Sequence, residues 1–96
     1  MEIVKTKNEN ALVVALTGRL DTTTAPQLEE ALALDGVQAL EFDFAALDYI
    51  SSAGLRVLLA AQKVMNKQGE MKIKNVNSDI MEVFEITGFS DILTIE

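Results

Sequence analysis

Two short apolar runs, Ala11–Thr17 (ALVVALT) and Val37–Phe44 (VQALEFDF), stand either side of a segment with helical character. Short apolar runs bounded by turn residues form buried strands. Gly18 follows the first run. Between the runs, Thr22, Thr23 and Thr24 precede Ala25-Pro26, and Leu28, Ala31 and Leu32 recur at helical spacing with Glu29 and Glu30 on the other side. Proline is tolerated in the first turn of a helix and threonine can cap one, so Thr23 or Thr24 starts a helix over about 25–34, with Gly36 as its stop. A strand, a helix and a second strand in this order close as a parallel pair through a right-handed crossover.

The rest of the chain extends that unit. Residues 2–7 read as an edge strand, and Lys7-Asn8-Glu9-Asn10 is a turn that joins it to the Ala11 run as a hairpin. Asp48 to Ser52 reads as a loop. A long helix over 53–68 follows, with Leu58, Ala61, Val64 and Met65 on one side and Arg56, Gln62, Lys63, Asn66 and Lys67 on the other; Gly69 ends it. Glu70–Val76 alternates as a strand. Asn77-Ser78-Asp79 caps a helix carrying Ile80, Val83 and Phe84, which Thr87-Gly88 ends, and Ile92–Ile95 reads as a last strand. The expected order is β-β-α-β-α-β-α-β: one α/β domain over residues 1–96 with a mixed, mostly parallel sheet. Met65, Met71 and Met81 are expected to fill the core, and Phe89 to anchor the C-terminus.

Composition removes several function classes. The chain has no histidine and no cysteine, so imidazole acid–base chemistry, thiol nucleophiles, disulfides and thiolate metal sites are absent. Its net charge is −7 with scattered basic residues, which argues against direct nucleic-acid binding and against an anionic membrane surface. The N-terminus lacks the pattern of a signal peptide, and no apolar run approaches a membrane span. A cytoplasmic protein with no catalytic residues, metal or cofactor, monomeric when free, is the expectation. Asp35, Asp43 and Asp48 make a poor Mg²⁺ set, because no adjacent acidic pair follows the first strand.

The chemistry that remains centres on Asp48-Tyr49-Ile50-Ser51-Ser52-Ala53-Gly54-Leu55-Arg56. It places two hydroxyls where a strand gives way to a helix. Free amides and a partial positive charge at a helix N-terminus suit an oxygen-rich group. Ser51 and Ser52 both qualify as a plain N-cap, and either qualifies as a phosphate acceptor, since the same amides accommodate a phosphate. Asp21, at the end of another strand, is a solvated turn residue or a carboxylate that touches a partner or orients the serine hydroxyl. Arg56, one turn into the helix, is an exposed arginine or a partner of acids and phosphates. No Gly-rich phosphate loop occurs.

Four stretches together resemble the STAS domain family, in particular its small stand-alone anti-sigma factor antagonists. They are Leu16-Thr17-Gly18-Arg19-Leu20-Asp21, Phe42-Asp43-Phe44 through Ile50, Ser51-Ser52-Ala53-Gly54-Leu55-Arg56-Val57-Leu58-Leu59, and Val83-Phe84-Glu85-Ile86-Thr87-Gly88-Phe89. The resemblance implies helices packed mainly on one face of the sheet. It also implies partner switching: an anti-sigma factor with GHKL-type serine kinase activity phosphorylates the antagonist, a PP2C-type phosphatase reverses the mark, and only the unphosphorylated form binds and so frees a sigma factor. Matching Gly54-Leu55 to the family's Gly-Leu implies Ser52 as the acceptor, with Ser51 as the alternative. The implied contact surface is Asp21, Thr22, Thr23, Ser51, Ser52, Ala53, Gly54 and Arg56. Many members carry Asp-Ser-(Ser/Thr)-Gly, whereas this chain has Ser51 for the aspartate and Ala53 for the second hydroxyl. The family also includes regulatory subunits of lipid-transport ABC complexes and of stress-sensing assemblies, in which the serine stays a structural cap.

Overall fold

The computed structural model describes residues 1–96. β1 (Glu2–Asn8) and β2 (Ala11–Leu20) form the hairpin, with Asn8 paired to Ala11 across the turn. α1 (Ala25–Ala31) crosses to β3 (Ala39–Ile50), α2 (Ser52–Gln68) crosses to β4 (Glu70–Lys74), and α3 (Ser78–Thr87) follows. The strands lie in the order β1-β2-β3-β4, β1 antiparallel to β2 and the other pairs parallel.

Burial alternates along β2, the first half of β3 and β4, so the core lies on one face. Leu12, Val14 and Leu16 of β2, Leu40, Phe42 and Phe44 of β3 and Met71 and Ile73 of β4 are buried. They join Leu28 of α1, Leu55, Leu58 and Met65 of α2, and Ile80 and Phe84 of α3 in one cluster. All three helices therefore share that face, and the opposite face is uncovered. Met81 and Phe89 pack against the same cluster. No helix is long and apolar enough to cross a membrane.

Several boundaries differ from expectation, each for a tertiary reason. β3 starts at Ala39 and runs on through Ile50, so Asp48, Tyr49 and Ile50 are strand residues rather than loop. Two register shifts explain the misreading: Ala15 pairs with Asp43 but Thr17 with Ala46, and Gly18 pairs with Leu47 but Arg19 with Tyr49. Each shift gives β3 one extra residue, as a β-bulge does. The buried positions pass from a spacing of two (Leu40, Phe42, Phe44) to three (Leu47, Ile50), and strand periodicity is lost from the sequence. Asp43 pins the first bulge by accepting from the Ala45 amide (3.0 Å) and from Asn75 Nδ2 (3.0 Å).

α1 ends at Ala31, three residues early, because the following segment is held from outside. Lys5 Nζ donates to the Ala31 carbonyl (2.9 Å), and Gln68 Nε2 donates to the carbonyls of Leu34 (2.6 Å) and Val37 (2.7 Å). β4 stops at Lys74, where Asn75 turns left-handed (φ 60°). The strand expected over 92–95 reduces to one parallel bridge between Ile73 and Ile95 beyond a 3₁₀ turn at Phe89–Asp91. Leu93 is drawn into the core there, so the segment meets β4 at one residue only. On α2, Gln62 is buried and Val64 is half exposed, the reverse of the expected assignment. Gly69 fits because a Cβ there would collide with the Gln38 carbonyl oxygen, which accepts from the Glu70 amide (3.0 Å).

Candidate functional site

β2 and β3 are adjacent and parallel, so the turns that leave them emerge at the same end of the sheet. Ligands of open α/β sheets gather outside the carboxyl ends of strands. The expected site residues do lie there, on two turns of contrasting chemistry.

After β2, the Asp21 carboxylate organises its own turn. Asp21 Oδ1 accepts from Thr23 Oγ1 (2.7 Å), the Thr23 amide (3.0 Å) and the Thr24 amide (3.2 Å). Thr24 Oγ1 accepts from the Asp21 amide (2.8 Å), and its single proton goes to the Arg19 carbonyl at 2.8 Å, the shortest of its acceptors. The Thr23 hydroxyl above all holds the Asp21 carboxyl down at about 2; partial burial opposes it, and the Thr24 and Thr23 amides add to it. Thr24 occupies the N-cap of α1 without capping through its side chain, and Pro26 sits in the first turn as expected.

After β3, the opposite holds. The Ser51 amide donates to the Leu20 carbonyl (2.9 Å), which ties the start of α2 to the end of β2. Ser51 is the N-cap residue of α2, and its carbonyl accepts from Leu55 (3.0 Å). Its hydroxyl caps nothing: Ser51 Oγ is buried with no hydrogen-bond partner. Ser52 is the first helical residue and is exposed. The amides of Ser52, Ala53 and Gly54 belong to the first turn, which has no intrahelical acceptors, and no acidic side chain lies there. A Cβ on Gly54 would come 2.7 Å from Leu20 Cγ and 2.9 Å from Ile50 Cγ1. Glycine at 54 thus lets α2 start directly against the ends of both strands, at the end of β2 from which the Asp21 turn leaves.

Thr22, Ala53 and Arg56 are brought together as well. With Ala25, Pro26, Glu29 and Val57 they line a cleft of ≈ 220 Å³ between α1 and α2. A larger cleft of ≈ 410 Å³, lined by Gln62, Asn66, Lys72 and others, lies towards the start of β4 and shares no residue with this site. One expectation does not hold. Asp21 Oδ1 is taken up by Thr23 and Thr24, and the carboxylate bonds neither serine, so it orients no serine hydroxyl. Asp35, Asp43 and Asp48 form no acidic cluster; Asp43 serves the β3 bulge, with the Asn75 amide and then the Ala45 amide lowering its carboxyl.

Sequence reasoning passed over Arg19 and Tyr49. The Arg19 guanidinium carbon lies 4.2 Å from the centre of the Tyr49 ring, and Arg19 Nε lies 3.6 Å from Asp21 Oδ2. The two residues pair across β2 and β3 immediately after the second register shift. Without knowledge of that shift, nothing in the sequence sets them opposite one another.

Comparison with known proteins agrees with this architecture. The family model for the STAS domain matches residues 2–96. A Bordetella bronchiseptica protein described as an anti-sigma factor antagonist, BtrV, is 38% identical, the match covering 99% of this chain and 85% of that protein. The anti-sigma-B factor antagonist of Bacillus subtilis is 34% identical over 93% of this chain and 84% of its own length. Among solved structures, an anti-sigma factor antagonist from Mycobacterium paratuberculosis superimposes with a TM-score of 0.87 at 24% identity, covering 98% of this chain and 83% of that one. The sheet order, the helices on one face and the whole-chain match converge on one conclusion: the chain belongs to the STAS domain family.

Proposed function

We propose that this chain is an anti-sigma factor antagonist, a binding module that captures an anti-sigma factor of the GHKL kinase type while Ser52 is unmodified. The kinase transfers the γ-phosphoryl group of ATP to Ser52 Oγ, the antagonist is released, and a PP2C-type phosphatase restores the hydroxyl. The names of the relatives at 38% and 34% identity support the role. The observation that carries the switch is the contrast within the serine pair: Ser52 is exposed at the first turn of α2, while Ser51 Oγ is buried and out of reach of a kinase.

The physics of such a switch is local. A phosphate on Ser52 adds roughly −1.5 to −2 charges at the positive end of a helix, beside amides that the Ser51 side chain leaves uncapped. The fold has no reason to change. The partner does: a surface matched to a neutral hydroxyl must now desolvate a dianion, and each loss of about 1.4 kcal/mol is tenfold in affinity.

The test is to incubate the protein with the anti-sigma kinase encoded beside it and ATP, and to measure intact mass. One added phosphate, mapped to Ser52 and absent from Ser52→Ala, is expected. No phosphate, together with Ser52→Asp binding the kinase as tightly as the parent, would remove the proposal.

A further inference from the structure

The chain has two arginines, Arg19 and Arg56, and both lie at the end of the sheet that carries Ser52; the six other basic residues are lysines placed elsewhere. Arg56 is on α2, on the covered side of the sheet. Arg19 is on the other side. Its neighbour Leu20 and the neighbour of Tyr49, Ile50, are both buried beneath the helices. Strand side chains alternate between faces, so Arg19 and Tyr49 stand on the uncovered face, around the edge from Ser52.

Arg19 is held but not used. Its guanidinium carbon lies 4.2 Å from the centre of the Tyr49 ring, a cation–π contact that favours this placing of the side chain. Its ion-pair contact, Nε to Asp21 Oδ2, is 3.6 Å, too long for a hydrogen bond. Asp21 cannot draw it closer without disturbing the turn, because Oδ1 is committed to Thr23 and Thr24. The terminal N–H groups of Arg19 therefore have no acceptor, and the Arg19 side chain is 61% exposed. A planar fork of donors, backed by an exposed tyrosine, is suited to a carboxylate, which accepts two of its N–H groups at once. Tyrosine and arginine are also the residue types that dominate binding energy at protein interfaces.

We infer that Arg19, steadied by Tyr49, is a docking fork for a carboxylate side chain of the anti-sigma partner, and that it fixes which partner is captured independently of the state of Ser52. The inference rests on the functional reading above and deepens it. The partner straddles the carboxyl end of β2 and β3, reading the modification state at Ser52 on one side and its own identity at Arg19 on the other. Arg19 and Ser52 share no contact, so their effects on binding are expected to add.

Calorimetric titration of the purified co-encoded anti-sigma factor into the parent, Arg19→Ala, Arg19→Lys, Tyr49→Leu and Ser52→Asp tests this. Arg19→Ala is expected to weaken binding by about 10- to 100-fold, the range for a lost charge-assisted pair. Arg19→Lys keeps the charge but not the fork, and should recover only part of that loss. Tyr49→Leu should weaken binding less than Arg19→Ala, and the double variant Arg19→Ala/Ser52→Asp should show the product of the two single losses. Arg19→Ala binding within about twofold of the parent, while Ser52→Asp still weakens binding, overturns the docking fork and leaves the functional reading standing. A parent that binds no better than Ser52→Asp removes the functional reading and the fork with it. An Arg19→Ala effect seen only in the phosphorylated protein assigns Arg19 to the phosphate instead and likewise overturns the inference.

Discussion

The two turns at the carboxyl end of the sheet solve the same problem in opposite ways. Each leads from a strand to a helix and must deal with first-turn amides. At the β2–α1 turn, one carboxylate oxygen of Asp21 takes three donors, and Thr24 Oγ1 both accepts and donates. At the β3–α2 junction, Ser51 Oγ is buried with no partner, and the amides of residues 52–54 have no side-chain cap. The first turn is tied together by its own side chains. The second is kept in place by packing instead, through Gly54 against Leu20 and Ile50. Hydrogen bonds within a turn occupy its amides, whereas packing leaves them free for an incoming group.

The largest test of this contrast is Gly54→Val. The added carbons meet two fully packed side chains, so stability should fall by about 2–3 kcal/mol, readable as a lower denaturation midpoint. A change under about 0.5 kcal/mol would mean that packing does not position α2. Next comes Thr24→Val, which keeps the shape but removes a hydroxyl that makes two good hydrogen bonds. A loss of about 1–2 kcal/mol is expected.

A smaller effect should appear with acid. Asp21 titrates at about 2 in the folded protein against an ordinary value of 3.8. A carboxyl lowered by folding contributes stability that is present above the unfolded value and is lost as pH falls through the folded one. The parent should therefore lose stability between about pH 4 and pH 2 more steeply than Asp21→Asn. Equal slopes for the two proteins in that window would show that the Thr23 and Thr24 bonds matter little. The smallest effect is expected where the comparison began. Ser51→Ala removes a hydroxyl that bonds nothing, so stability should change by less than about 0.5 kcal/mol, far less than a working N-cap serine would cost. A loss above about 1 kcal/mol would show that Ser51 does cap α2.

Much of this was legible beforehand, for reasons that are local. The hairpin at Lys7–Asn10, the valine-rich β2, the Pro26 start of α1 and the Asn77 cap of α3 follow from short-range chemistry; Asn77 Oδ1 does accept from the Ile80 amide (2.8 Å). The motif from Ser51 to Leu55 marked the passage from strand to helix that the structure has at Ile50–Ser52. What stayed hidden depends on residues far apart. The face of α2 was misassigned at Gln62 and Val64 because helical spacing says which residues share a face, not where a neighbouring segment leaves a gap. The last strand was overcalled because Ile92 and Ile95 look strand-like, yet Leu93 is claimed by the core.

The amino-acid order by itself determined the succession of elements as far as α3, the parallel crossovers and the serine pair where β3 gives way to α2, because strand and helix periodicities are properties of neighbouring residues. Tertiary structure alone decided the two β3 bulges, the placing of Arg19 on Tyr49, and which serine is buried. These rest on register between β2 and β3 and on how closely Gly54 lets α2 approach. Register is a relation between strands separated by a whole helix, and no local pattern encodes it when the partner strand carries an extra residue.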